Sequence, residues 1–279
     1  MHEASDRFIA VIVGDIKQDC LKLPTLPEIA VRIRKVVEDE NSTAAQVAKL
    51  IGMDAALSAR LLRVANSPLY RGSSQIDNIQ TAVTRLGAKV VRNLVQSLVM
   101  QQLFQSQSPT LKKRIETLWS HSVSVAVIAA SFARKFTKLS PDQALLAGLL
   151  HDIGTLPIVS RAEDFPEIAG NGALLDEAID KMHTTVGKLI LETWKFPAAI
   201  IAVAAEHEEL GRYSAEVDYV DLVLVANLHS YIGTGHRHAK VQWADVPAMA
   251  KLGLTPAESL LAMEQAKGEM AQMRALLTG

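Results

Sequence analysis

Two adjacent side chains, His151 and Asp152, have the chemistry of a metal ligand set. An imidazole and a carboxylate together suit iron, manganese, zinc or nickel better than magnesium or calcium. The pair follows an apolar helix that we predict to open at Ser140 and Pro141 and to end near Gly154, a glycine typical of helix C-termini. Asp152 could bind a metal and orient a water for attack on a phosphate ester, a catalytic role. A carboxylate that only hydrogen-bonds a core histidine is the structural alternative.

Three further histidines lie on separate predicted helices, each in line with apolar residues, so we expect them to face the core. One inward histidine is more often a satisfied core residue than a ligand. Several of them, together with an aspartate, favour a shared polar site. The predicted ligands are His121, His151, Asp152, His183 and His207. Lys188 is predicted to hold the phosphate beside them.

The elements that position these side chains are predicted to be helices. Apolar residues recur at helical spacing through most of the chain, and alternating strand patterns are nearly absent. Three helix starts carry candidate capping pairs: Thr43 with Gln46, Ser140 with Gln143, and Thr255 with Glu258. The sequence therefore predicts an all-α fold.

The overall composition narrows the class of protein. The 279 residues include 29 Lys and Arg against 30 Asp and Glu, and 49% are hydrophobic, which excludes a disordered chain and argues against general affinity for nucleic acid or membrane surfaces. Cys20 is the only cysteine, so no intrachain disulfide is possible. We find no apolar run near the roughly 18 to 20 residues that span a bilayer. We expect a soluble cytoplasmic protein with no membrane partner.

The ordered motifs resemble two related families. His121, the His151-Asp152 pair and a later helix with Asn227 resemble the HD superfamily of metal-dependent phosphohydrolases, whose pattern is a His, a His-Asp pair and a final Asp. Six further segments resemble the HDOD family: LPTLP at 23–27, VAKLI at 47–51, LLRVANS at 61–67, AVTRLG at 82–87, HTTVG at 183–187 and WKFP at 194–197. The resemblance implies an all-helical bacterial regulatory or output module, often without demonstrated activity.

The resemblance also suggests how the chain is divided. It covers roughly residues 20–230, with an N-terminal helical half at 20–110 and an HD-like half at 111–230. Residues 1–19 form an N-terminal extension, and residues 231–279 form a C-terminal extension that ends in a helix with a methionine stripe. Such a stripe usually packs on its own domain, and a partner-binding face is the alternative.

Departures from the family patterns bear on catalysis. Asn227, which the resemblance makes a sixth predicted metal ligand, stands where HD enzymes have their final Asp, and its neutral carbonyl oxygen is a poorer ligand than a carboxylate. Asp221 could replace it only if that helix were rotated. The related HD-GYP enzymes carry a His-His-Glu run and a Gly-Tyr-Pro signature. This chain has Glu206-His207-Glu208 and Gly211-Arg212-Tyr213 instead, so hydrolysis of cyclic di-GMP by that route is not expected.

A run of basic residues is a second candidate site. Arg85, Lys89 and Arg92 are spaced to share one helix face, which would suit a phosphate-bearing ligand or an acidic partner, although such faces are usually only solvated. Residues 43–66 superficially resemble a DNA-binding helix-turn-helix, but the apolar second helix favours a packing role.

Three functions follow from these observations. The favoured one is a non-catalytic HDOD signalling module that binds a partner protein or a nucleotide and carries a degenerate metal site. The alternative is a metal-dependent phosphohydrolase that uses Fe, Mn, Zn or Ni. DNA binding is a distant third, and the sequence gives no oligomeric state.

Overall fold

The structure is a computed structural model that describes residues 2–39, 41–70, 72, 74–105 and 108–278. Within those ranges all regular structure is helical, which confirms the all-α prediction. The α-helices are α1 His2–Lys17, α2 Glu28–Glu38, α3 Ala44–Gly52, α4 Ala55–Ala65, α5 Ile79–Leu86, α6 Ala88–Met100, α7 Pro109–Phe136, α8 Pro141–Leu150, α9 Thr155–Ala162, α10 Pro166–Ala169, α11 Gly172–Thr193, α12 Ala198–Glu206, α13 Tyr219–Ser230, α14 Pro247–Lys251 and α15 Pro256–Thr278. Short 3-10 helices cover Gln101–Leu103, Arg237–Lys240 and Trp243–Asp245.

The long helix α7 is the centre of the fold. It packs against α8, α13 and α15, while α11 packs against α9, α12 and α1. The α7–α8 contact is very close at Gly148, where an added Cβ would lie 2.4 Å from the Cα of Ala126. A larger residue would push the two helices apart, so Gly148 fixes the distance between the helix that carries His121 and the one that precedes His151.

The capping predictions are correct at two helix starts of three. Thr43 and Gln46 form the reciprocal capping box at α3, and Thr255 and Glu258 hydrogen-bond each other's backbone N–H at α15. Helix α8 starts at Pro141 as predicted, but Ser140 does not cap it, because its hydroxyl donates to the Asp142 carboxylate. The Gln143 side chain instead accepts a hydrogen bond from the Tyr219 hydroxyl.

Two predictions that involve glycines are wrong. Helix α8 ends at Leu150, and Gly154 is not a left-handed terminator: its φ is −64° and it immediately precedes α9. Gly87, with φ 86°, separates α5 from α6. Arg85 therefore lies on α5 whereas Lys89 and Arg92 lie on α6, so the three do not share one helix face.

The candidate DNA-binding segment is largely packed into the core. Helices α3 and α4 follow one another across Met53 and Asp54, but four residues of α4 are buried: Leu57, Leu61, Val64 and Ala65. The amide of Asn66 then bonds the carbonyl of Ile76 at 2.7 Å and accepts from its N–H at 2.8 Å. This segment therefore serves packing and loop closure.

The longest apolar stretches are helices of the core. Leu111–Phe136 and Pro141–Ala162 are long and apolar enough to cross a bilayer by length and composition, contrary to the expectation above. In this fold, however, 72% and 83% of their apolar windows are buried within the protein. Core helices pass the same test, so these stretches are weak evidence for a membrane span.

The C-terminal helix packs mainly on its own chain. Ala266, Met273 and Leu277 of the predicted stripe are buried, whereas Leu260 at its start is 45% exposed. Helix α15 contacts α7 and α4, so it packs on one helix from each of the two predicted halves of the chain.

Candidate metal centre

Asp152 lies at the centre of the candidate site, in the turn between α8 and α9. Its Oδ2 is 3.2 Å from His151 Nε2 and 3.5 Å from His121 Nε2. Its Oδ1 is 3.2 Å from His207 Nε2 and 3.6 Å from His183 Nε2. One carboxylate thus presents each of its oxygens to a different pair of imidazoles.

These contacts define two groups that share Asp152. One is His121, His151 and Asp152, the other is Asp152, His183 and His207, and within each the ligand atoms lie within 4.8 Å of one another. The ligands come from four regions of the chain: α7, the turn after α8, α11 and the end of α12. The tertiary fold therefore brings together two candidate ligand groups, each of which could hold one cation, with Asp152 common to both.

The hydrogen bonds of three histidines leave their Nε2 atoms free to bind a cation. Nδ1 of His151 donates to the Gly148 carbonyl at 2.7 Å, that of His183 to Ile179 at 2.7 Å, and that of His207 to Val203 at 2.9 Å. Because a carbonyl can only accept, each Nδ1 must carry the proton, and each Nε2 of the neutral ring is a lone pair. Such second contacts are usual for metal-binding histidines.

The close approach of two imidazole nitrogens indicates whether these side chains fit a metal ion. Nε2 of His183 and Nε2 of His207 are 3.3 Å apart and aim at the same oxygen of Asp152. Two lone pairs at that distance repel each other unless a proton or a cation lies near both. Imidazole nitrogens with a carboxylate are the donors that divalent transition metals prefer, so the residues present fit such a metal.

The electrostatics of the centre favour positive charge beside Asp152. Burial alone would raise the pKa of Asp152. In the metal-free protein, a positive charge on His151 and the hydrogen bonds that His151 and His207 donate when Nε2 is protonated hold that pKa well below its ordinary value. Burial would lower the pKa of His207, but its hydrogen bond to Asp152 raises it instead. Burial and the neighbouring His151 lower the pKa of His121 to about 4, so that ring stays neutral.

A cavity of about 1190 Å³ opens onto this centre. His121, Asp152 and His183 lie in its wall, so a ligand can reach both groups from one side. The cationic side chains in the wall are Lys113, Arg114, Arg237 and Arg274. The wall also carries the carboxylates of Glu116, Asp176, Asp180 and Glu208, of which Asp176 pairs with Arg114 and Asp180 and Glu208 pair with Arg237. A phosphorylated ligand would therefore meet positive charge mainly at Lys113 and Arg274, as well as the candidate metal ligands.

Two residues of the site were missed by sequence reasoning. Glu208 Oε1 lies 3.8 Å from His207 Nε2, and its Oε2 bonds Arg237 at 2.9 Å. Its position directly after His207, like Asp152 after His151, was a usable signal. The hydroxyl of Tyr231 lies 3.5 Å from His121 Nε2, and its ring stacks on His236 with centroids 3.6 Å apart. Nothing in the sequence pattern distinguishes Tyr231.

The remaining predicted site residues do not join the two groups. Asn227 is 2% exposed, and its side chain bonds Glu208 and Ser230. Lys188 is exposed, 3.9 Å from Glu192, and does not line the cavity, so the structure does not bring it to Asp152.

The basic candidates on α5 and α6 also lie elsewhere. Arg85 donates to the Ser74 carbonyl and Arg92 to the Asn93 side chain. Lys89 is exposed, and none of the three lines the cavity.

Comparisons with known proteins agree with this architecture. Residues 23–210 match the model of the HDOD domain family. An uncharacterized protein of Treponema pallidum is 25% identical over 202 residues, and the match covers 67% of this chain but only 38% of that protein. A crystal structure of a putative metal-dependent phosphohydrolase from Shewanella amazonensis is 30% identical over 99% of both chains, with a TM-score of 0.87.

Two further crystal structures share the fold. An HDOD domain protein of unknown function from Geobacter sulfurreducens is 24% identical and covers 99% of this chain and 98% of its own, with a TM-score of 0.66. A putative signal transduction protein from Marinobacter aquaeolei is 19% identical, covers 100% of this chain and 66% of its own, and has a TM-score of 0.62.

Proposed function

The chain belongs to the HDOD domain family, and we propose that it binds two divalent transition-metal ions and hydrolyses a phosphate ester in the cavity beside them. One observation carries the proposal: the two oxygens of Asp152 each face a pair of imidazole nitrogens, at 3.2 to 3.6 Å. A site that had lost its metal would not need four histidines with aligned Nε2 atoms. The sequence favoured a non-catalytic module with a degenerate metal site. This geometry is instead an argument for the metal-dependent phosphohydrolase.

The proposed metal ligands divide between the two ions. His121 and His151 would hold one ion, His183 and His207 the other, and Asp152 both. Bound divalent metals supply Lewis-acid activation of water and of the phosphoryl group.

Tyr231 is placed to contact a phosphate oxygen. Burial raises the pKa of its hydroxyl, and the nearby carboxylates of Asp152 and Glu208 raise it further. The hydroxyl therefore remains protonated and can donate a hydrogen bond into the cavity.

A second function, a signalling module that binds its ligand without turnover, is favoured by Asn227. Enzymes of the HD pattern have a carboxylate at this point, and here a neutral amide bonds Glu208 at 3.5 Å. A site with one anionic ligand fewer binds and activates a divalent metal less strongly. In this version a nucleotide, another phosphorylated ligand or a partner protein would occupy the cavity as a signal.

The deciding experiment uses the full chain loaded with manganese or iron. Phosphomonoesters, nucleotides and cyclic nucleotides are supplied to the wild type, to Asp152→Asn and to Asn227→Asp. We expect metal-dependent hydrolysis that Asp152→Asn reduces by at least about 100-fold, because that variant weakens both groups. Asp164→Asn, a surface change of the same chemistry beside Arg161, should retain full activity.

The other outcomes separate the two functions. Bound metal with no turnover in the wild type, and turnover gained in Asn227→Asp, would establish the signalling module. Wild-type protein that fails to take up any transition metal would overturn the phosphohydrolase and leave the signalling module as the function.

A further inference from the structure

The C-terminal helix contributes an arginine to the cavity. Nη2 of Arg274 on α15 donates to the Ser120 hydroxyl at 2.9 Å, and Ser120 directly precedes His121 on α7. Arg274 lies outside residues 23–210, the part that matches the HDOD family model. One cation of the cavity wall, next to the candidate metal centre, is therefore supplied by a segment that the family match does not include.

Arg274 is held in place by a well-anchored helix. Its neighbour Met273 is 2% exposed and Leu277, one turn later, is 1% exposed. Arg60 donates to the carbonyl of Leu277 at 3.3 Å, and Lys135 donates to that of Ala262 at 3.3 Å. The backbone of α15 is thus fixed along its length, and the guanidinium is positioned over α7.

The cations that line the cavity differ in how they are paired. Arg114 pairs with Asp176, and Arg237 pairs with Asp180 and Glu208. Among the described residues, no carboxylate lies within 4.0 Å of the charged groups of Arg274 or Lys113. A guanidinium has five N–H donors, and the exposed side chain of Arg274 uses one on a neutral hydroxyl, so its other donors remain available to a ligand in the cavity.

The positions of Lys113 and of Ser120, the hydrogen-bond partner of Arg274, along α7 show where these two cations lie relative to His121. Lys113 precedes His121 by eight residues, which places it about 12 Å away along the helix and about 80° around it. It precedes Ser120, which bonds Arg274, by seven residues and lies on nearly the same face as Ser120. Thr117 and Ser120, which also line the cavity, lie between Lys113 and His121. This part of the wall is therefore polar. It carries the exposed cations Lys113 and Arg274 together with the exposed carboxylate of Glu116.

We propose that Arg274 and Lys113 form an anion-binding subsite for a second phosphate group, so that the ligand of this cavity is a bisphosphorylated molecule. The inference rests on the proposed function in that the first phosphate binds at the Asp152 centre. Two cations match the double negative charge of a phosphate better than the single charge of a carboxylate. The guanidinium fork matches the geometry of phosphate oxygens, and Lys113 adds a point charge.

Phosphonates that cannot be hydrolysed test the subsite by titration calorimetry on the metal-loaded full chain. Butylphosphonate carries one anionic group, butane-1,4-bisphosphonate adds a second, and 5-phosphonopentanoate replaces the second with a carboxylate. We expect the bisphosphonate to bind at least about tenfold more tightly than butylphosphonate, as charge-assisted hydrogen bonds to one arginine allow. Arg274→Ala should remove that preference and leave the affinity for butylphosphonate unchanged.

The matched control is Arg134→Ala. Arg134 pairs with Glu269 of α15 at 3.5 Å but does not line the cavity. This variant therefore removes an ion pair that holds the same helix, while the positive charge of Arg274 in the cavity wall is kept. It should retain the bisphosphonate preference, and Arg274→Lys should retain part of it. Equal loss in Arg134→Ala and Arg274→Ala would show a role in holding the helix and would overturn the subsite.

The remaining outcomes distinguish this inference from the proposed function. Metal-dependent binding of butylphosphonate without any preference for the bisphosphonate overturns the subsite alone. Binding of the bisphosphonate that depends on Arg274 but not on metal supports the subsite and counts against the metal centre as the anchor. Equal affinity for 5-phosphonopentanoate overturns the assignment of the second group as phosphate. No binding of any phosphonate overturns both.

Discussion

Gly154 packs so closely on His183 that a Cβ atom on the glycine would lie 2.0 Å from the His183 carbonyl oxygen. The same Cβ would lie 2.4 Å from the backbone nitrogen of Gly187, one turn further along α11. Because Asp152 lies two residues before Gly154, this backbone contact brings the carboxylate to the helix that carries His183. The position of Asp152 between the two pairs of histidines therefore depends on the absence of a side chain at residue 154.

Gly154→Ala should destabilise the protein by about 3 kcal/mol or more, because the atoms it meets belong to backbone and cannot rotate away. Urea denaturation measures the loss, and weaker metal binding by the His183 and His207 group should accompany it. Gly14→Ala is the control, since a Cβ at this position in α1 meets nothing within 4 Å. That change should be neutral or stabilising by about 0.5 to 1 kcal/mol. Similar destabilisation by both substitutions would contradict the packing argument.

The shared carboxylate predicts how metal content responds to single substitutions. The wild type should bind two ions per chain, one for each group. His183→Ala should retain one ion and His121→Ala the other, whereas Asp152→Asn should weaken both sites at least about tenfold. Metal analysis after gel filtration measures the stoichiometry.

A buried histidine outside both groups provides the control for metal content. His229→Leu should keep two ions, because His229 belongs to neither group. Retention of both ions by Asp152→Asn would show that the carboxylate does not bridge the sites.

The candidate histidine ligands could be predicted because helical periodicity shows which side chains point toward the core. His121, His183 and His207 fall in line with apolar residues, and a side chain on the buried face of a helix points inward whatever the details of packing. The same reasoning shows why Lys188 fails. It follows His183 by five residues, which places it about 140° around α11, and its side chain is 54% exposed.

Other features could not be read from residue types. A glycine after an apolar helix predicts a left-handed terminator, yet Gly154 is needed for space and Gly87 for its positive φ. Sequence alone does not separate these two uses of glycine. The position of Arg274 could not be predicted either, because its contact with Ser120, next to His121, depends on how α15 crosses α7.

Asp221 holds a charge network and is not a spare metal ligand. Its side chain is 1% exposed, pairs with Lys251 and with Arg212 at 3.5 Å, and accepts a hydrogen bond from the Asp218 N–H at 3.1 Å. Asp221→Asn should cost about 3 kcal/mol, because it leaves the largely buried Lys251 without its charge partner. Metal content should not change.

The control for the Asp221→Asn substitution is a change in an exposed ion pair. Glu264→Gln beside Lys267, where both side chains are more than 70% exposed, should cost less than about 0.5 kcal/mol in the same chemical denaturation. If Asp221→Asn instead stripped the protein of metal, the assignment of Asp221 to the network alone would be wrong.

His229 should make the protein less stable in mild acid. Burial lowers its pKa to about 4, and its ring packs against Phe132 and Trp243 with no hydrogen-bond partner for either nitrogen among the described residues. The unfolded chain, with an ordinary histidine pKa near 6.5, binds more protons than the folded chain between about pH 6.5 and pH 4. The stability contributed by the neutral ring is therefore full above pH 6.5 and is lost as the pH falls toward 4.

His229→Leu removes this titration while keeping an apolar side chain of similar size. In metal-free protein, the free energy of unfolding of the wild type should fall between pH 7.5 and pH 5 by about 2 kcal/mol more than that of the variant. Some decline should persist in the variant, because the pKa of His121 is also lowered to about 4. Urea denaturation across this pH range measures both curves. Parallel curves would show that His229 gains a proton as readily in the folded chain as in the unfolded one, so that its buried ring is not held neutral.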